Sequence, residues 1–231
     1  MANELFASCT YFGVAISLAT YFIGARVKKR FPSPLCNPML IAIIITIAFL
    51  VVFHIDYDVY YASAKYLSYL LTPATVCLAV PLYEKFELLK KNLAAVLIGI
   101  GTGVVTSLLC VLLLSVVFNL DHSEYVGLLS KSITTAIGMD VTAELGGHVT
   151  LTIAAIIITG TLGNITAEAA VRIFRITDPI ARGVAIGTAS HAMGTAKALE
   201  IGEVEGAMSS LSLVVAGLLT VVGAGIFANF R

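Results

Sequence analysis

The sequence predicts an all-α polytopic membrane protein with about seven spans, a re-entrant segment and an inverted repeat containing two broken helices. Three observations carry this. First, 58% of the 231 residues are hydrophobic, only 12% are charged, and mean hydropathy is +0.97. That charged share is about half the ~25% of soluble domains, too little to coat a globule. Second, the apolar residues fall in runs of spanning-helix length, about 20 residues. Third, two of the runs are interrupted by Gly or Pro in corresponding places. Lys+Arg and Asp+Glu both number 14, so no basic face for nucleic acid is expected. A disordered chain would need the opposite composition.

Five runs free of charged residues and histidine reach or approach spanning length: 5–25, 35–53, 92–120, 149–167 and 207–230. The first follows Glu4 and ends at the basic cluster Arg26–Arg30, the reverse of a cleavable signal's polarity. It reads as a span with its N-terminus outside. Segment 66–83 is apolar but carries Pro73 and Pro81. Segment 180–199 is broken by Gly183, Gly187 and Gly194 and contains Arg182, His191 and Lys197. Segment 130–148 is too short and too polar for a plain span and reads as re-entrant.

Lys and Arg in short loops set orientation. Arg26–Arg30, Lys85–Lys91 and Arg172–Arg175 then lie in the cytoplasm. Segment 180–199 is expected to cross outward to Glu200, Glu203 and Glu205, and the last run to end inside at Arg231. This gives one transmembrane domain over 1–231, with a first helix and loop at 5–34 and a first repeat at 35–120. The re-entrant segment occupies 121–148 and the second repeat 149–231. Three crossings per repeat would turn the second copy upside down.

Broken helices suit an anion, because half-helix N-termini expose unpaired N–H groups and about half a positive charge. Candidate ligands for a small carboxylate are Pro73, Ala74 and Thr75 at one break. Ser190, His191, Gly194 and Thr195 are those at the other. Lys131 is a counter-charge, with Thr134 and Thr135 as hydroxyl donors. His191 could carry a proton, and the Asp140–Glu144 pair a coupling ion. The bland alternatives are a His satisfied by a backbone carbonyl and a Lys that snorkels to the interface. No nucleophile–base set, phosphate loop or metal spacing is present, so no enzyme activity, cofactor or metal is expected. Cys9, Cys36, Cys77 and Cys110 read as small hydrophobes.

Three stretches carry a resemblance: Thr72–Lys91 (TPATVCLAVPLYEKFELLKK), Lys131–Asp140 (KSITTAIGMD) and Ala181–Leu211. In the last, Gly183–Ala196 fits the pattern G-x-A-x-G-T-x-S/G-H-A-x-G-x-A, followed by Glu205–Ala207. The sequence resembles the LrgB/CidB family of bacterial membrane proteins over nearly its whole length. It departs at Ala136, where many members have proline. The resemblance implies a multi-pass protein of the bacterial cytoplasmic membrane, working with a small LrgA/CidA-type partner and forming homo-oligomers. It also implies one of two activities. One is transport of small monocarboxylates such as pyruvate, glycolate or glycerate. The other is antiholin-like control of murein hydrolase export and lysis.

Overall fold

The computed structural model describes residues 6, 9–31, 33, 36–77 and 79–231, with backbone alone for Leu71, Thr72, Thr75 and Leu82. The described residues form helices joined by short turns, with no strand among them. The chain packs as two units, Met1–Cys77 and Leu78–Arg231.

The first unit holds α1 (Phe12–Arg30), α2 (Pro38–Val52), α3 (Tyr57–Ala64), a 3-10 turn (Lys65–Leu70) and α4 (Leu71–Cys77). Asn37 starts α2 by accepting from the Met39 and Leu40 N–H groups, with Pro38 pre-set for the first turn. Lys28, Lys29 and Arg30 close α1, where cations suit the negative end of the helix dipole. In an apolar setting, hydroxyls join the helices. Thr20 meets Thr46 at 3.0 Å, Ser17 meets the Tyr60 hydroxyl at 2.9 Å, and Ser63 accepts from the Gly13 N–H. The interruption expected over 66–83 takes the form of the 3-10 turn followed by two short helices, α4 and α5 (Ala79–Glu84).

The second unit is built from three long helices and two hairpins. α6 (Phe86–Val117), α9 (Val149–Ile173) and α11 (Glu203–Phe227) are each long and apolar enough to cross a membrane. At 1.5 Å per residue, α6 is about 48 Å long and α9 about 37 Å, against a hydrocarbon core of about 30 Å. Between α6 and α9 the chain forms α7 (His122–Leu129) and α8 (Thr135–Glu144). Asp121 and Glu124 cap α7 reciprocally. Neither helix exceeds about 15 Å in length. The His148 N–H donates to the Ser123 carbonyl at 3.1 Å, so the chain returns to where it left α6. Residues 130–134 form the tip.

The second hairpin is α10 (Pro179–Ile201), opened by Asp178 accepting from the Ala181 N–H. Ser190 (φ −133°, ψ 16°) and His191 (φ 42°, ψ −140°) leave helical geometry, dividing it into α10a (179–189) and α10b (192–201). This break reverses the chain. A Cβ on Gly194 would lie 2.9 Å from the Ile186 carbonyl, a contact no continuous helix brings about across eight residues. Thr195 on the returning leg reaches Ser209 at 2.9 Å, and Gly187 on the entering leg abuts the same residue. Arg182 lies 3.6 Å from Glu205 and Lys197 2.6 Å from Glu168.

Segment 180–199 therefore does not cross outward as its length suggested; it re-emerges on its own side. The positive-φ residue turns the chain back where glycine spacing alone implied a kink. Two consequences correct the expected orientation of everything after it. Glu203, expected opposite the Lys85 loop, pairs with Lys85 at 2.9 Å. Arg231, expected at the Lys85 end, donates from Nε to the Leu120 carbonyl at 2.7 Å and from Nη2 to Asn119 at 3.0 Å. α11 therefore runs from the Lys85 end to the Leu120 end. The pattern that recurs in this unit is a long helix followed by a returning hairpin, once over 86–144 and again, pointing the other way, over 149–201.

The main apolar core runs along α6 through Val96, Ile100, Val104, Leu108 and Val111 and continues into Tyr125, Leu129, Met208 and Ala216. Gly183 and Gly187 let α10a approach the α11 backbone; a Cβ on Gly183 would sit 2.5 Å from the Glu205 carbonyl.

Candidate functional site

A cavity of about 850 Å³ lies between α6, α10a and the tip of the first hairpin. Its lining runs from Asn92 to Cys110 along α6, a rise of about 27 Å at 1.5 Å per residue. Asn92 and Asp178 mark the Lys85 end, and Ser107, Cys110, Lys131 and Ser132 the deep end. The walls between are small or apolar: Gly99, Gly103, Val96, Val184, Ala185 and Ala189.

Lys131 Nζ donates to Ser132 Oγ at 2.9 Å and to Ser107 Oγ at 3.1 Å, and these two hydroxyls stand 3.3 Å apart. An ammonium has three donors, so one remains for a ligand. Among the described residues, no carboxylate pairs with it. Ser107 lies ten residues before the end of α6, about 15 Å along the axis, so the cation meets α6 at a depth well inside its charge-free run 92–120. A lone cation at that depth is costly unless something negative visits it.

Thr188 lines the same cavity from α10a. It is 8% exposed, and its Oγ1 has no hydrogen-bond partner among the described residues. A buried hydroxyl left unpaired costs roughly 1–3 kcal/mol.

Both hairpin tips also present helix starts. α8 begins at Thr134 with no side-chain cap on its first N–H groups. α10b begins just after the His191 break. Each contributes about half a positive charge at the level of the tips.

A family model described as the LrgB-like family matches residues 17–230. The chain is similar to the "Holin-like protein CidB" of Staphylococcus aureus (strain Mu50), 36% identical over 209 residues, 90% of this chain and 91% of that one. It is likewise similar to the "Uncharacterized protein YxaC" of Bacillus subtilis (strain 168), 35% identical over 206 residues, 89% of this chain and 90% of that one. This chain belongs to the LrgB-like family. No solved structure matches it.

Of the residues singled out in this LrgB-like sequence, Lys131 is in the cavity lining. Thr134 and Thr135 are the cap and first residue of α8, next to that lining but not part of it. Ser190, His191, Gly194 and Thr195 are not in the lining either. They build the second hairpin's turn. Ser190 fills the space left by Gly163, and His191 Nε2 meets the Ile156 carbonyl at 3.1 Å. Thr195 Oγ1 donates to the His191 carbonyl at 3.0 Å. Asn164 Nδ2 reaches the Met193 carbonyl at 2.7 Å, level with the same turn.

Asp140 and Glu144 are exposed on α8, outside the cavity. Pro73 and Ala74 are exposed on α4 of the first unit, and the Thr75 side chain lies outside the described residues. Among the described residues, no group of three His, Cys, Asp or Glu side chains could hold a metal.

Sequence reasoning missed Thr188, Ser107 and Ser132. Ser107 sits in an otherwise apolar run and carries no local signal. Thr188 lies inside segment 180–199, but only the folded arrangement leaves its hydroxyl without a partner among the described residues.

Proposed function

We propose that this LrgB-like protein is a secondary transporter of small monocarboxylates, of the pyruvate, glycolate or glycerate kind, in the bacterial cytoplasmic membrane. One observation carries the reading: the Lys131 ammonium, which no carboxylate pairs among the described residues, lines one cavity together with Thr188, beside the tips of two opposed hairpins. One carboxylate oxygen accepts from Lys131, close to the start of α8. An oxygen of the α-oxo or α-hydroxy group accepts from, or donates to, Thr188. The small apolar walls accommodate the short carbon chain.

The two hairpins are re-entrant, and 86–144 and 149–201 form an inverted repeat. Irregular backbone at membrane depth is tolerated where it lines a cavity, and opposed repeats permit alternating access. The cavity reaches the Lys85 end, where Lys85, Lys90, Lys91, Arg172 and Arg175 cluster, the cytoplasmic side by the positive-inside rule. The arrangement is thus open inward. A small LrgA/CidA-type chain is the expected partner, and the protein is not an enzyme. Ser190, His191, Gly194 and Thr195 shape the second hairpin rather than touch the carboxylate.

The alternative reading is a holin-like regulator of lysis, favoured by the name of the Staphylococcus aureus relative. Uptake of radiolabelled pyruvate into proteoliposomes containing a trapped bulky dye separates the two. Saturable uptake with the dye retained supports a carrier. Loss of dye, or no uptake with or without the small partner, returns the regulator to first place.

A further inference from the structure

A second cavity, of about 670 Å³, opens at the Lys85 end between the last turn of α9 and both legs of α10. Arg172, Arg175 and Arg182 line it, with Glu168 as its acid. Glu168 is already engaged by Lys197 at 2.6 Å. Arg182 spends Nε on the Ile176 carbonyl at 2.8 Å and holds Glu205 at 3.6 Å through Nη1. Among the described residues, no hydrogen bond or ion pair engages the guanidinium of Arg172 or Arg175. The pocket therefore carries an excess of positive charge, in the residue type best shaped for phosphate oxygens.

A tight turn at the end of α9 places these arginines. The Ile176 N–H donates to the Val171 carbonyl at 2.9 Å, and Arg175 takes φ 53° to end α9. The same turn turns Ile173 and Phe174 outward, 73% and 76% exposed. Two large apolar side chains between two arginines suit the boundary of a bilayer, with the side chains in the acyl region and the guanidinium groups at headgroup level. Val171, Ile176 and Ile201 give the pocket an apolar floor.

We propose that this pocket binds a phosphate ester anion, and that its ligand is the headgroup of an acidic phospholipid. Arg172 and Arg175 grip the phosphate, the free edge of Arg182 completes the clamp, and the glycerol lies on the apolar floor. Basic pockets between helices on the cytoplasmic side are suited to such headgroups. A bound headgroup ties α9 to the entering leg of the second hairpin and so couples membrane composition to the hairpin's stability. The site is separate from the Lys131 cavity and stands whether or not the protein transports carboxylates.

The test is the thermal unfolding midpoint of the full-length protein in neutral detergent. The probes are short-chain phosphatidylglycerol, short-chain phosphatidylcholine and inorganic phosphate. Phosphatidylglycerol is expected to raise the midpoint by about 2–4 °C, the shift of a modestly saturated site on a chain of this size. Phosphatidylcholine should leave it unchanged. The double variant Arg172→Gln/Arg175→Gln changes only exposed side chains, so it should keep the unliganded midpoint but lose the shift; Lys131→Gln should keep the shift. An equal, arginine-dependent shift with inorganic phosphate would assign the site to a soluble phosphate and overturn the lipid source. No shift with either anion, or a shift that survives the double variant, would overturn the site.

Discussion

Gly194 rests against Ile186, near enough that a Cβ on the glycine would lie 2.9 Å from the isoleucine carbonyl. Eight residues of continuous helix would separate them by about 12 Å. The contact therefore defines α10 as a hairpin. Residues on its two legs then meet the membrane from one side. In a background without native cysteines, Thr177→Cys and Glu200→Cys should react with an impermeant maleimide from the same face, and Asn229→Cys from the opposite one. Labelling of 177 and 200 from opposite faces would restore a crossing.

Thr188 separates binding from folding. Replacing it with Val keeps the shape and removes an unpaired buried hydroxyl, so the unliganded protein should be as stable as wild type or more so. The same change should raise KM for pyruvate about 2–10-fold, the value of a hydrogen bond between neutral groups at about 0.5–1.5 kcal/mol. A loss of stability with unchanged KM would make Thr188 structural.

Cys110 lines the deep end of the cavity beside Lys131. A sulfonate-bearing methanethiosulfonate should modify it and block uptake. Pyruvate should slow the modification at concentrations near its KM. Equal rates with and without pyruvate would place the substrate elsewhere.

His191 is strained at its backbone. Its φ of 42° costs of order 1–3 kcal/mol for a non-glycine residue, held by the contact with the Ile156 carbonyl. His191→Ala removes that contact, leaves a void against Gly160 and should cost about 1–3 kcal/mol in stability. His191→Asn, which keeps a hydrogen-bond donor, should recover part of it. KM for pyruvate should be unchanged in whichever of the two folds. A tenfold rise in KM in the folded Asn variant would put His191 in the binding site.

Much of this fold was legible in the residues. Composition and run length dictate long apolar helices, and the shortness of 130–148 dictates a piece that does not span. The Gly and polar residues of 183–197 mark a break. Its direction was not legible, because helical periodicity says nothing about the φ of one residue. Beyond the break, orientation rested on Arg231 alone, a thin basis for counting Lys and Arg. The tertiary pair Lys85–Glu203 settles what that count could not. Lys131 was legible as a lone cation among apolar runs. Its partners were not: serines and threonines are common in membrane helices, where they usually bond back to their own helix, as Thr102 does to Ile98. Ser107 and Thr188 differ from Thr102 only through what the fold brings beside them.

In the proposed mechanism Lys131 holds a carboxylate that the protein moves across the membrane. The most direct test is concentration-dependent uptake of radiolabelled pyruvate into sealed, dye-loaded proteoliposomes containing wild type, Lys131→Arg or Lys131→Gln. Saturable uptake by wild type, partial activity in Lys131→Arg and at least a tenfold loss of kcat/KM in Lys131→Gln, all with dye retained, is the predicted result. Uptake that is equally fast in Lys131→Gln would contradict it.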